Sequence, residues 1–273
     1  MILSRDKIGP FRYVLYGHAC LVCAFLLLPV IFITLLSFGS SRWLIFPPPG
    51  WTLKWYADLL DDPRWLQSAW LSLQLGLCVM TASVVLGGAA AVTLVRGHFP
   101  GKRLLNGIFI SPMIVPVVIL AIALYAFFMK LGLTGSFLGF VIGHLVIAMP
   151  FSVICIANSL RGFDTNLERA AAICGAGRWQ TIRLVTIPAI LPGILAAAVF
   201  SFLASWDEVV ISIFMASPDL QTLPVRMWTS LRTDLSPSIA AISTILVASS
   251  VIAMALLGLV AARGGRGRTE GEK

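Results

Sequence analysis

Two adjacent carboxylates, Asp207 and Glu208, follow Trp206 within an otherwise apolar run of the chain. Carboxylates inside a membrane-spanning segment are costly and usually serve a function. They could bind a cationic solute, and the indole ring of Trp206 could add a cation–π surface. Neighbouring residues of a helix point about 100° apart, so one of the two carboxylates is expected to face a solute path. The alternative is structural: one carboxylate pairs with a residue such as Arg226, or both lie at the membrane interface.

Other residue patterns that support chemistry are weak in this sequence. The chain has no G-x-x-x-x-G-K-[ST] phosphate-binding loop and no nucleophile–base set. Cys20 and Cys23 form a C-x-x-C pair, but it stands in an apolar run without histidine or acidic neighbours, where cysteine usually acts as a small hydrophobe. His18 and His144 each stand alone in apolar runs, so hydrogen bonds to neighbouring helices are expected of them. We therefore expect no catalytic residue, no metal site and no cofactor in this chain.

Composition indicates which elements position these residues. Hydrophobic residues make up 58% of the 273 residues and charged residues 12%, against about 25% charged in soluble domains. A membrane-spanning helix needs about 20 mainly apolar residues. Six such runs predict an all-α integral membrane protein with six transmembrane helices: 13–38, about 66–95, 104–129, 133–160, about 188–215 and 237–262. Pro112 and Pro116 are expected to bend the third span, and Gly135, Gly139 and Gly143 to form one close-packing face of the fourth.

The distribution of basic residues orients the spans. Fourteen of the 20 lysines and arginines lie in the N-terminal segment, in the turn 96–103, in the loop 161–183 and in the C-terminal tail, and six lie in the other loops. Basic residues accumulate on the cytoplasmic side of membrane proteins. The sequence therefore predicts a cytoplasmic segment 1–12, a six-span domain 13–262 and a cytoplasmic tail 263–273. The net charge of +8 reflects this bias and indicates contact with membrane lipid, not with nucleic acid.

The cytoplasmic loop of about 161–187 contains a helix-like stretch over 164–182. Asp164 or Thr165 is suited to begin the helix, and Gly175 is suited to end it. The residues at helical spacing form a shallow apolar face: Leu167, Ala170, Ala171 and Cys174. Such a face fits a protein groove better than lipid, although a helix on the membrane surface and a plain connecting loop are the alternatives.

The spacing in this loop resembles the cytoplasmic signature of binding-protein-dependent ABC importer permeases, which is Glu-Ala-Ala, three residues, Gly, nine residues and Ile-x-Leu-Pro. The chain has Arg169-Ala170-Ala171, three residues, Gly175, nine residues and Val185-Thr186-Ile187-Pro188. It departs from the signature at Arg169, with Glu168 one residue earlier. The resemblance implies a type I ABC importer permease fold, and a set of residues that couple the permease to an ATPase: Glu168, Arg169, Ala170, Ala171, Gly175, Ile187 and Pro188.

Residues 205–247, and the layout over 13–262, resemble the second permease subunit of spermidine/putrescine importers. The resemblance implies a multi-pass protein of the bacterial inner membrane. Its implied partners are a homologous permease, two ATPases that bind ATP and Mg, and an extracytoplasmic substrate-binding protein. A self-sufficient channel or secondary carrier is the alternative, but it would leave the signature spacing unexplained.

The resemblance also suggests that the loop after the fifth span touches the binding protein. The residues concerned are Pro218, Asp219, Leu220 and Gln221. Prolines at 218 and 224 already restrict this loop, so docking would cost little conformational entropy. An ordinary turn between helices is the alternative.

Overall fold

The apolar runs form long helices. The computed structural model describes residues 11–233 and 236–269, and within them the regular structure is helical apart from a backbone bridge between Gly39 and Trp51. In chain order the helices are α1 (Phe11–Ser37), α2 (Lys54–Asp61), α3 (Pro63–Arg96), α4 (Lys102–Ile110), α5 (Val117–Leu131), α6 (Phe137–Arg161), α7 (Asn166–Ile173), α8 (Arg178–Thr181), α9 (Ile187–Trp206), α10 (Val210–Met215), α11 (Leu223–Thr233) and α12 (Pro237–Thr269). The all-α fold class is confirmed.

Five stretches of the described chain are long and apolar enough to cross a membrane: Arg12–Ser37, Pro63–Arg96, Phe137–Arg161, Arg178–Trp206 and Pro237–Ala255. The third predicted run is instead a pair of helices, α4 and α5, bent by 103° around a 3-10 turn. Pro112 and Pro116 lie at this bend, and neither can donate a backbone hydrogen bond. The prediction of six spans therefore holds when the bent pair counts as one span.

Several local predictions were wrong. Helices α2 and α11 lie in stretches that were predicted as loops. The prediction missed them because short amphipathic helices lack the long apolar run that marks a span. Gly135 does not share a helical face with Gly139 and Gly143. It precedes α6 with φ +70°, and the helix begins where the Ser136 hydroxyl accepts a hydrogen bond from the Gly139 N–H group (3.1 Å).

The chain divides into two units. One comprises the described residues up to Asp62 and those from Ser230 to Ala248. In it, the Trp55 indole donates a hydrogen bond to the Gly39 carbonyl at 2.7 Å and so fixes the loop between α1 and α2. The other unit contains Pro63–Thr229 and Ser249 onward. It therefore includes every residue predicted for coupling and for the solute path, and also the loop 217–224 after the fifth span, which we call the outer loop.

Helices α3, α6 and α9 form the core of this second unit. Two glycines allow the close approach: a Cβ at Gly87 would lie 2.6 Å from Ser152 Cβ, and a Cβ at Gly193 would overlap the Ser159 side chain. Small residues at the contacts between membrane helices permit this kind of packing. Because these helices interlock without room for a methyl group, we expect them to move as one body.

Candidate functional site

Helix α7 forms the centre of the predicted coupling segment. Of the two residues predicted to begin the helix, Thr165 occupies the N-cap position without a side-chain hydrogen bond, and the Asp164 carboxylate accepts a hydrogen bond from the Asn166 N–H group at 2.9 Å. Gly175 ends the helix with φ +86°. The last carbonyl groups are capped by hydrogen bonds from Gly175 N–H to Ala172 O and from Ala176 N–H to Ala171 O, both 3.0 Å. This is a Schellman termination, which requires a left-handed residue and so explains the glycine.

Glu168 joins α7 to two other elements. Its Oε1 atom accepts a hydrogen bond from Arg96 Nη2 at 2.7 Å, where α3 ends, and another from the Thr186 hydroxyl just before α9. Partial burial alone would raise the pKa of the Glu168 carboxyl. The hydrogen bonds from Thr186 and Arg96, together with the positive charge of Arg96, outweigh that effect and lower this pKa below its ordinary value. Glu168 is therefore ionised and held at a junction of α3, α7 and the start of the fifth span.

Arg96 and Thr186 were missed by the sequence reasoning. They lie 72 and 18 residues from Glu168, and a contact across such distances leaves no mark in spacing. The one available signal was Glu168 itself, an acidic residue beside a signature position. We call the contact of Glu168 with Arg96 and Thr186 the Glu168 clamp.

Most of the other signature residues near α7 are exposed. Arg169, Ala170 and Gly175 are exposed, and Ala171 is partly buried. Large apolar side chains beside them also face outward: Ile173 is 87% exposed and Trp179 72%. Exposed apolar side chains next to a short helix are typical of a surface that a partner covers.

The helical segment that contains the fifth span begins before the predicted start at about 188. Helical backbone runs from Arg178 through α8 and a π-helical turn, Ile182–Thr186, into α9. In this turn the Ile187 N–H group donates to Ile182 O, five residues back. The wider turn accommodates Pro188, which has no N–H group to donate. Ile187 and Pro188 thus lie within a continuous helix directly after Thr186.

A buried polar network lies deeper in the same unit. The His144 ring of α6 makes hydrogen bonds of 2.9 Å to the hydroxyls of Ser205 and Ser212. The expected hydrogen bonding of this histidine to neighbouring helices is confirmed. A second cluster joins α3, α6 and α9 through the hydroxyls of Ser83, Ser152 and Ser201, at 2.8–3.1 Å.

The predicted carboxylate pair lies at a helix break, not on a helix. Residues 207–209 separate α9 from α10, so the expected 100° separation of Asp207 and Glu208 was wrong. Glu208 turns inward and caps α10: its carboxylate accepts hydrogen bonds from the N–H groups of Val210, Ile211 and Ser212 at 2.9–3.0 Å. Asp207 is exposed, so the two carboxylates have different environments.

Trp206 is buried beside this break. Its ring stacks on Phe202 with centroids 5.5 Å apart, and only 8% of the residue is exposed. Its indole nitrogen is buried and has no hydrogen-bond partner among the described residues. A buried donor without an acceptor is costly.

The outer loop is a tight turn. Ser217 and Leu220 exchange two backbone hydrogen bonds at 3.1–3.2 Å, and Pro218 and Asp219 at the tip are exposed, whereas Leu220 and Gln221 are partly buried. The chain after the loop is fixed to the start of α3 by a hydrogen bond from Leu223 N–H to the Ser72 hydroxyl (2.8 Å). Ser72 and Arg96 are separated by about 36 Å along α3 at 1.5 Å per residue. The outer loop and the Glu168 clamp therefore lie at opposite ends of α3.

Comparison with known proteins agrees with this architecture. The family model for the inner membrane component of binding-protein-dependent transport systems matches residues 83–264. The chain is 32% identical over 253 residues to the spermidine/putrescine transport system permease protein PotC of Escherichia coli strain K12, with 93% of this chain and 96% of PotC covered. It is 30% identical over 244 residues to the putrescine transport system permease protein PotI of that strain, with 87% and 85% covered.

A solved structure of similar fold comes from a bacterial ABC transporter involved in import of the acidic polysaccharide alginate. Its chain superimposes with a TM-score of 0.68 at 17% identity, with 96% of this chain and 99% of that chain covered. The similarity extends over nearly the whole length, and the matched family range includes the signature segment, the clamp and the helix break. The chain therefore belongs to the family of binding-protein-dependent transport system inner membrane components, and it is a multi-pass inner membrane permease of an ABC importer.

Proposed function

We propose that this permease imports polyamines, as the second permease subunit of a spermidine/putrescine-type transporter. The observation that supports the substrate class is the 32% identity to PotC over 93% of the chain. Spermidine and putrescine are flexible chains with two or more ammonium groups. A path for them needs anionic or aromatic groups spaced along an otherwise apolar passage.

Asp207 is the best candidate within this chain for contact with such a cation. The predicted solute path comprised Trp206, Asp207 and Glu208. Glu208 directs its carboxylate to three backbone N–H groups, which satisfies most of its acceptor capacity. The Asp207 carboxylate is exposed at the same helix break, beside the indole of Trp206. We assign Asp207 the direct contact and Glu208 the positioning of the break.

Helix α7 docks, in this proposal, on an ATPase subunit. Ile173 and Trp179 present apolar surface next to the exposed signature residues Arg169, Ala170 and Gly175. The sequence has no phosphate-binding loop of its own, so two partner ATPases bind ATP and Mg and hydrolyse the nucleotide. A homologous permease completes the membrane part of the transporter, and both chain termini face the cytoplasm.

The exposed tip of the outer loop contacts the substrate-binding protein. Pro218 and Asp219 are the residues most open to such a partner, with Leu220 and Gln221 behind them. Their position at the end of α3 opposite the Glu168 clamp supports this assignment, because the binding protein and the ATPases lie on opposite sides of the membrane.

The test is reconstitution. An affinity-tagged chain is co-expressed with its partner subunits, purified and placed in proteoliposomes, and uptake of labelled spermidine and putrescine is compared with uptake of neutral and anionic solutes. ATP-dependent uptake of the polyamines alone, lost on omission of the ATPases, is the expected result. Uptake of an anion in preference to polyamines would contradict the substrate class, and uptake without ATPases would contradict the partner assignment.

A further inference from the structure

A basic cavity of about 550 Å³ lies at the end of the second unit that carries α7. Its polar lining consists of Lys102, Arg103, Asn106 and Arg161. Leu94 and Phe99 supply apolar lining, and none of the described residues that line the cavity is acidic. The cavity therefore combines three positive charges with an apolar wall.

The position of the cavity is fixed by two spans. Arg161 is the last residue of α6, and the turn that bears Phe99 directly follows the end of α3 at Arg96. The ends of two spans meet the membrane at the headgroup layer. A cavity at this level is therefore expected to lie near phospholipid headgroups.

Two of the three cations make hydrogen bonds within the chain. Lys102 donates hydrogen bonds to Gly97 O at 3.0 Å and to Val95 O at 3.4 Å, so its ammonium group is fixed where α3 ends. Arg161 donates to Asn158 Oδ1 at 3.3 Å, which leaves most of its guanidinium N–H groups for another acceptor. Arg103 is exposed at the first turn of α4.

The start of α4 adds to the positive potential. This nine-residue helix begins after Gly101, whose φ is +83°, and no side chain of the described residues caps it. The free N–H groups at a helix N-terminus favour an anion. The helix and the three cations together suit a phosphate group, for which arginine offers paired donors.

We propose that this cavity binds a phosphate group, and that its source is the headgroup of an anionic phospholipid such as phosphatidylglycerol. Basic pockets between membrane helices at their cytoplasmic ends are suited to such headgroups. Phe99, which is partly exposed next to the buried Leu94, favours a lipid over free phosphate, because the acyl chain of a lipid can cover its apolar surface. This inference does not depend on the transported substrate.

The test measures lipid binding by the purified full-length chain in detergent, by native mass spectrometry with phosphatidylglycerol or phosphatidylcholine. The variant Arg103→Gln/Arg161→Gln removes two cations from exposed positions. Each basic residue near an anionic surface contributes about 5-fold in affinity, so the pair is expected to lower phosphatidylglycerol binding about 30-fold. The control Lys130→Gln removes an exposed cation at the far end of α5, and the variant Arg103→Lys/Arg161→Lys keeps the charge; both are expected to retain most binding.

A competition with excess inorganic phosphate separates the two sources. Persistent binding of phosphatidylglycerol identifies the lipid, and displacement by inorganic phosphate identifies a phosphate site filled from solution. Equal affinity of the wild type for phosphatidylglycerol and phosphatidylcholine, or equal binding by wild type and Arg103→Gln/Arg161→Gln, would overturn the proposal.

Discussion

Glu168 offers the most informative single perturbation in the chain. The Arg96–Glu168 ion pair is partly exposed, with 34% and 23% of the two side chains accessible, so it contributes about 1 kcal/mol. The hydrogen bond from the buried Thr186 hydroxyl contributes about another 1 kcal/mol. Glu168→Gln keeps an acceptor for Thr186 but loses the charge, and Glu168→Ala loses both contacts. We expect α7 to detach from the end of α3 and from Thr186 about 5-fold more often in Glu168→Gln and about 30-fold more often in Glu168→Ala.

Hydrogen–deuterium exchange of the full-length chain measures this release directly. Peptides that cover residues 166–176 are expected to exchange about 5-fold and about 30-fold faster in Glu168→Gln and Glu168→Ala. The control is Arg169→Gln on the same helix, because Arg169 is exposed and makes only a 3.4 Å contact with Asn166. Wild-type exchange in both Glu168 variants would refute the clamp. In a double-mutant cycle, Arg96→Gln is expected to add little to Glu168→Gln, and full additivity would show that the two side chains do not interact.

The clamp also has a defined pH dependence. The pKa of Glu168 in the folded chain lies below its ordinary value of 4.5. Its ionised form therefore contributes stability that is fully present above pH 4.5 and is lost as the pH falls through the lowered pKa. Exchange of α7, corrected for intrinsic rates, is expected to be flat between about pH 6 and 8. A change with a midpoint near neutrality would contradict an ionised Glu168.

Four further outcomes are expected. Gly175→Ala should destabilise the end of α7 by about 1 kcal/mol, because the φ of Gly175 is +86°, and Gly175→Asn should have a smaller effect. A Cβ at this position meets no atom within 4 Å, so a bulky and a small side chain that lower the thermal stability equally would confirm a conformational origin. His144→Ala should lower stability by about 3 kcal/mol in thermal unfolding, since it leaves a cavity and unpaired hydroxyls, and an unchanged melting temperature would contradict the buried network. Glu208→Ala should impair folding more than Asp207→Asn does. Asp207→Asn should reduce polyamine uptake with assembly intact, and uptake by this variant at the wild-type rate would show that Asp207 does not contact the substrate. Replacement of 218–221 by Gly-Ser residues should abolish stimulation of ATP hydrolysis by the loaded binding protein and preserve basal hydrolysis, and retained stimulation would make the loop a plain connector.

The spans and helix α7 were predictable because their signals are local. An apolar run of 20 residues has few other uses in a chain of this composition, and the glycine that ends α7 follows from the geometry of a helix C-terminus. Hydropathy cannot locate breaks within an apolar run, however. The mean hydropathy of the run 188–215 does not show that α9 ends at Trp206, because the residues before Trp206 and after Glu208 are equally apolar.

The environments of Glu168 and Glu208 were not predictable, for different reasons: one depends on a distant partner, and the other on a helix break. Glu168 and Glu208 are both acidic residues beside apolar stretches. One is paired with Arg96, 72 residues away, and the other caps α10 through its own following backbone. A cap of this kind requires a helix to begin just after the carboxylate. The start of α10 was not predicted, because it lies inside the apolar run 188–215, which was predicted to form one helix.

The arrangement of the second unit suggests how motion at α7 would reach Asp207, the proposed contact for the solute. The Glu168 clamp ties α7 to the end of α3 and to the start of α9. Helices α3, α6 and α9 are locked by the serine cluster and by glycine contacts that leave no room for a methyl group. A tilt of α7 would therefore be passed on as a rigid-body movement and not absorbed by bending. The backbone interruption after Trp206 is where α9 ends, so the movement would be felt at Asp207, and a variant that weakens the clamp should impair transport without touching that residue.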